Sequence, residues 1–158
     1  AMALENHLAS LVLSGCSALG LHPDLELFPK ERNTMTAAER AQVHRRVLEI
    51  LMIAEPSRID DAAIAIQAGN IDKARFRSRE FAFTTEIKDR LHEVKVPVRA
   101  IWGERDVLAK PTLDHLLGVL RAAQPGLIAR VVPDAGHWSM YENAPAFNRA
   151  LLEVLALG

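Results

Sequence analysis

The chain has 158 residues, 49% hydrophobic and 25% charged, with 19 Lys+Arg against 20 Asp+Glu. These figures fit an ordinary folded domain with one core, and they exclude disorder, a basic nucleic-acid surface and an acidic tail. No run approaches the ~20 apolar residues of a membrane span. The lone Cys16 excludes an intrachain disulfide framework and suits a reducing compartment, so a cytoplasmic location is expected. Near the amino end stand Glu5 and His7, where a secretory signal would carry positive charge and then an apolar run. Ala1 ahead of Met2 reads as a cloning remnant.

In chain order, Leu8 to Ser14 is an apolar run closed by Gly15, the pattern of a strand buried on both faces and so of a parallel sheet. Gly20 to Asn33 reads as loop. Thr36 and Glu39 match a capping box, opening a helix with Val43, Val47, Ile50, Leu51 and Ala54 on its apolar side, until Pro56 stops it. Ser57 is placed to cap a second helix with the stripe Ile59, Ala62, Ala63 and Ile66, with Gly69 at its C-terminal cap. A third segment carries Lys73, Arg75, Arg77 and Arg79, read first as a solvated helix face and second as an attraction for a carboxylated substrate. Thr85 starts a fourth helix to Glu93, with Glu86 and Arg90 as an i, i+4 pair. Four helices without an intervening strand form an insertion.

From Val94 the pattern alternates. Val96 to Trp102 reads as a strand, Pro111 opens a helix with Leu113, Leu116, Leu117 and Leu120, and Leu127 to Val132 is a further strand. Pro145 opens a last helix with Phe147, Leu151, Val154 and Leu155 on one face. The expectation is an α/β fold: a small parallel sheet of about three strands with flanking helices, joined by right-handed crossovers, interrupted by a four-helix insertion. The chain divides into 1–20, 21–93 and 94–158.

In such a sheet functional groups gather beyond the carboxyl ends of the strands. Trp102-Gly-Glu-Arg-Asp106 delivers an aspartate past one strand, and Pro133-Asp-Ala-Gly-His-Trp138 delivers a histidine past the next. Together Asp106 and His137 form the orienting half of a triad, the acid fixing the imidazole tautomer. Taken singly, the aspartate caps a turn and the histidine is structural. Trp102 and Trp138 flank the two loops and either line a pocket or pack against the loops. Glu142 with Pro145 reads as helix-start chemistry. No two histidines have metal-ligand spacing, so neither metal nor cofactor is expected.

The stretch PVRAIWGERD followed by PDAGHWSMYENAPAFNRALLEVL resembles the C-terminal end of the α/β-hydrolase fold superfamily, and ALENHLASLVLSG resembles its sixth strand with the helix end before it. The resemblance implies that Asp106 is the triad acid and His137 the base, and that 21–93 is a helical lid over an apolar substrate. It covers only the second half of that fold. The family's G-x-S-x-G elbow, a strained strand-to-helix turn carrying the nucleophile, is absent from the sequence. Gly15-Cys16-Ser17-Ala18-Leu19 comes nearest, with leucine in place of the final glycine, so Ser17 is the lesser candidate and Cys16 has no neighbour to lower its pKa. Asp24 is the alternative acid. The expected partners are a small apolar molecule, once the fold is completed, and a second copy joined through the exposed strand Leu8 to Ser14. A non-catalytic association module is the competing reading.

Overall fold

The computed structural model describes residues 7–21, 28–76 and 78–157. Three parallel strands, β1 (Leu11–Ser14), β2 (Val98–Gly103) and β3 (Ile128–Val132), lie in the order β1-β2-β3. Leu11 pairs with Val98 and Ser14 with Ile101, while Arg99 pairs with Ile128 and Gly103 with Val132. The first two strands start later than the apolar pattern suggests because Pro97 has no N–H to extend the ladder. Its carbonyl accepts the Leu11 N–H at 2.9 Å, which leaves Leu8 to Ser10 outside the strand.

Between β1 and β2 run α1 (Ala37–Val47), α2 (Asp61–Lys73), α3 (Ser78–Ala82) and α4 (Glu86–Arg90), and beyond β2 come α5 (Leu113–Ala123), α6 (Ser139–Glu142) and α7 (Ala144–Leu155). The capping box at α1 forms in full: Thr36 Oγ1 accepts the Glu39 N–H, and the Glu39 carboxylate accepts the Thr36 N–H at 2.7 Å. α1 runs on into one π turn, Leu48–Met52, and ends there, ahead of Ala54.

The second helix departs from its expected form. Asp60 caps α2 by accepting the Ala63 N–H at 2.8 Å, whereas Ser57 lies in the short 3₁₀ turn Pro56–Arg58, its N–H and hydroxyl bound to Glu55. Gly69 sits inside α2, and Ile66 faces solvent because the helix turns Ala63 and Gln67 inward. Pro111 precedes α5, whose cap is Thr112. The Glu86–Arg90 pair forms at 2.9 Å. Lys73 and Arg75 are exposed, and Arg77 lies outside the described residues.

The sheet is covered on both faces. Val98, Ala100 and Trp102 of β2 pack with Leu91 and with Leu116, Leu117 and Leu120 of α5, while Ile101 and Val132 pack with Ala146, Ala150 and Val154 of α7. Every residue of β2 is buried and every residue of β1 only half-buried; among the described residues β1 has one strand neighbour. A third cluster, Leu48, Ile53, Ile59 and Ala63, holds α1 and α2 together and takes Trp138 and Tyr141 against it.

Candidate active site

Asp106 and His137 meet at the carboxyl edge of β2 and β3. Asp106 Oδ2 lies 2.9 Å from His137 Nδ1, and its Oδ1 accepts the Leu108 N–H at 2.9 Å, so both carboxylate oxygens are engaged. The acid side chain is 1% exposed and the imidazole 20%, which puts the pair in a water-poor setting with one side of the ring open. A carboxylate on Nδ1 selects the tautomer with its proton there, leaving Nε2 as a free base.

The two loops are held main chain to main chain. A β-carbon on Gly103 would stand 2.1 Å from the Gly136 carbonyl oxygen and 2.4 Å from that of Ala135, so this glycine is required by its neighbour loop more than by its own turn. The Arg105 N–H donates to the Ala135 carbonyl at 2.9 Å, and the Asp134 N–H to Glu104 Oε2 at 3.0 Å.

Beside the ring is a cavity of about 220 Å³ lined by Gly15, Cys16, Ser17 and His137 among leucines 19, 21, 51, 108 and 116. Burial pushes the Cys16 thiol up to about 12, which leaves it no thiolate for nucleophilic work near neutrality. Ser17 is exposed and lines the same cavity, but no helix starts directly after it at 18–21: Ala18 takes a left-handed φ of 60°, and its N–H donates to the Ala82 carbonyl. No hydrogen bond joins Ser17 to His137 among the described residues. Trp102 is 2% exposed in the α5-side core, and Trp138 packs against Tyr141 and the α1–α2 cluster, so neither lines the cavity. Asp24 lies outside the described residues.

At Glu142 the structure departs from the helix-start role expected of it. α7 is capped by Asn143, whose Oδ1 accepts the Ala146 N–H, so the glutamate is not needed at the helix start. Its buried carboxylate instead accepts three main-chain N–H groups, from Gly136 at 2.6 Å, Ala54 at 3.0 Å and Glu55 at 2.8 Å. The signal available in the sequence was an acid five residues after the histidine with its own cap residue behind it. Nearby, the Tyr141 hydroxyl donates to Asp60, which lowers the Asp60 pKa and raises that of Tyr141.

Among the described residues no group of three or more His, Cys, Asp or Glu is set to hold a metal, and no helix is long and apolar enough to cross a membrane.

No family model matches the chain. It is 30% identical over 122 residues to a 2-hydroxy-6-oxo-6-phenylhexa-2,4-dienoate hydrolase of Burkholderia cepacia, a match covering 72% of the chain and 41% of the relative. It is 28% identical over 122 residues to a 2-hydroxy-6-oxononadienedioate/2-hydroxy-6-oxononatrienedioate hydrolase of Comamonas testosteroni, with the same coverage. The chain thus spans about two fifths of the length of the curated relatives it matches. Among solved structures, a serine hydrolase involved in carbazole degradation superimposes with a TM-score of 0.63 at 20% identity, over 99% of this chain and 59% of that one. The order of the elements, the two motif loops and these matches agree: the chain belongs to the α/β-hydrolase fold superfamily and carries the C-terminal part of that fold.

Proposed function

We propose that this chain supplies the acid–base part of a hydrolase that cleaves an ester-like or C–C bond in a small apolar molecule. The observation that carries the reading is the 2.9 Å contact of Asp106 with His137 Nδ1 at the wall of an apolar cavity. In the reaction His137 Nε2 takes the proton of a nucleophilic hydroxyl as it attacks the substrate carbonyl. Asp106 stabilises the imidazolium, which then protonates the leaving group. Helices α1 to α3 serve as the cap, contributing Leu51 and Ala82 to the cavity wall. The names of the relatives share a 2-hydroxy-6-oxo acid, which supports a carbonyl compound as substrate; the far end is phenyl in one and a second carboxylate in the other.

The 158 residues contain no G-x-S-x-G; on this reading the nucleophile is supplied by a segment outside them and the chain alone is inactive. With an apolar nitrophenyl ester, the chain by itself is expected at background. Joined to a first half bearing the elbow, it gains activity that falls by roughly 10³-fold or more in His137→Ala. Activity of the joined form that survives His137→Ala overturns the reading. Activity of the chain alone that vanishes in both Ser17→Ala and His137→Ala assigns the nucleophile to Ser17.

A second reading, self-association, is favoured by the one-sided β1. Beside it an open groove of about 240 Å³ is lined by Leu11, Leu13, Ile87, Leu91 and Val94, with Glu86 and Arg90 also in its wall. A two-fold dimer through β1 satisfies this edge. A single cysteine is consistent with work in the cytoplasm.

A further inference from the structure

We infer that Glu142 is a positioning residue that locks the root of the helical insertion to the His137 loop, so that a single carboxylate sets both the insertion's seat and the imidazole's direction. The functional consequence rests on the reading of His137 as the base; the lock itself does not.

The geometry is that of a clamp. Glu142 Oε2 accepts the N–H of Gly136, the residue before His137, at 2.6 Å, and also the N–H of Ala54 at 3.0 Å, while Oε1 accepts the N–H of Glu55 at 2.8 Å. The carbonyl of Glu142 takes the Arg58 guanidinium at 3.0 Å, so side chain and main chain of one residue grip the same strip of the insertion. The seam is closed from the other side by the Trp138 N–H, which donates to the Met52 carbonyl at 2.8 Å, and by Arg105, which donates to the Ala54 carbonyl at 3.3 Å. The helix ends at Met52, so that carbonyl has no partner within the helix and is left for Trp138.

The fit is close as well as polar. A β-carbon on Gly136 would stand 2.8 Å from the Ala54 nitrogen and 2.9 Å from the Met52 oxygen. His137 therefore lies between two fixed main-chain points, Gly136 on Glu142 and Trp138 on Met52. Hydrogen bonds to a buried charged acceptor are about twice as strong as neutral ones, and an acceptor with no proton of its own suits three converging donors. Glutamine in its place keeps the shape but turns an NH₂ toward an N–H, so at least one side of the clamp is lost.

The test is residue-resolved amide hydrogen exchange with NMR of the His137 ring. In Glu142→Gln the amides of Gly136, Ala54 and Glu55 are expected to lose protection together, by about 10- to 100-fold relative to Ile101 in β2, with a shift of the His137 ring resonances. Protection that falls uniformly over the whole chain, or that persists at Ala54 and Glu55, overturns the lock. Should the variant not fold, the wild-type chain decides. The Gly136 amide and the adjacent Ala54 and Glu55 amides, some eighty residues away, must then exchange through one common opening, and unrelated exchange rates at the two places reject the proposal. Failure of the esterase assay leaves this result untouched, so the two readings fall separately.

Discussion

The ring of His137 rests on the backbone of Gly15: a β-carbon there would stand 2.9 Å from Cε1 and 3.3 Å from Nε2. Gly15 also has a φ of +56°, a conformation other residues adopt at a cost. Gly15→Ala is therefore expected to lower stability by about 1–3 kcal/mol and to push the imidazole out of line with Asp106. Urea unfolding and the His137 Cε1 resonance check this; an unmoved resonance means the ring does not depend on Gly15.

Gly103 is the stricter case, because the atoms in its way are the carbonyl oxygens of Gly136 and Ala135, at 2.1 and 2.4 Å. Gly103→Ala is expected to cost about 3 kcal/mol, the upper end of ordinary overpacking. The two loops must part, so the low-field Nδ1–H proton signal of the Asp106–His137 contact disappears. A folded variant that keeps this signal contradicts the account of loop packing.

Cys16 predicts an alkaline weakness. An unfolded thiol releases its proton near 9.0, but burial holds the folded one to about 12. Between those values the unfolded chain binds fewer protons, so the contribution is complete below pH 9 and is lost as pH climbs toward 12. Cys16→Ala is expected to flatten the fall in unfolding free energy between pH 9 and 11 by up to one proton. Equal slopes for variant and wild type place the thiol in contact with water.

Light scattering tests the β1 edge. A mass of two chains, falling on dilution, is the expected result, and a constant monomer mass at all concentrations removes self-association.

The motif loops were legible in the sequence because each lies within one strand-and-turn unit whose residue types announce it: Gly103 to Asp106, and Gly136 with His137. Their meeting was legible through sheet order alone. The seam formed by Glu142, Ala54 and Glu55 was not, since its partners lie far apart in the chain and main-chain N–H donors leave no mark on residue type. The same limit explains α2: Asp60 and Ser57 are both good caps, and only the packing of Ala63 against Leu48 and Ile59 selects Asp60. For Trp102 the sequence left pocket and packing both open, and the fold buries it in the core.

The single pairing of β1 has a kinetic meaning. β2 and β3 are joined by the short excursion from Gly103 to Ile128, while β1 reaches β2 only after the whole insertion has been closed, at a greater cost in chain entropy. In refolding, β2, β3 and α7 should assemble before β1 docks, and in fluctuations β1 should leave first. Gly15 and Ser17, directly beyond β1, form part of the cavity wall, so on this order the pocket should be completed late and lost early.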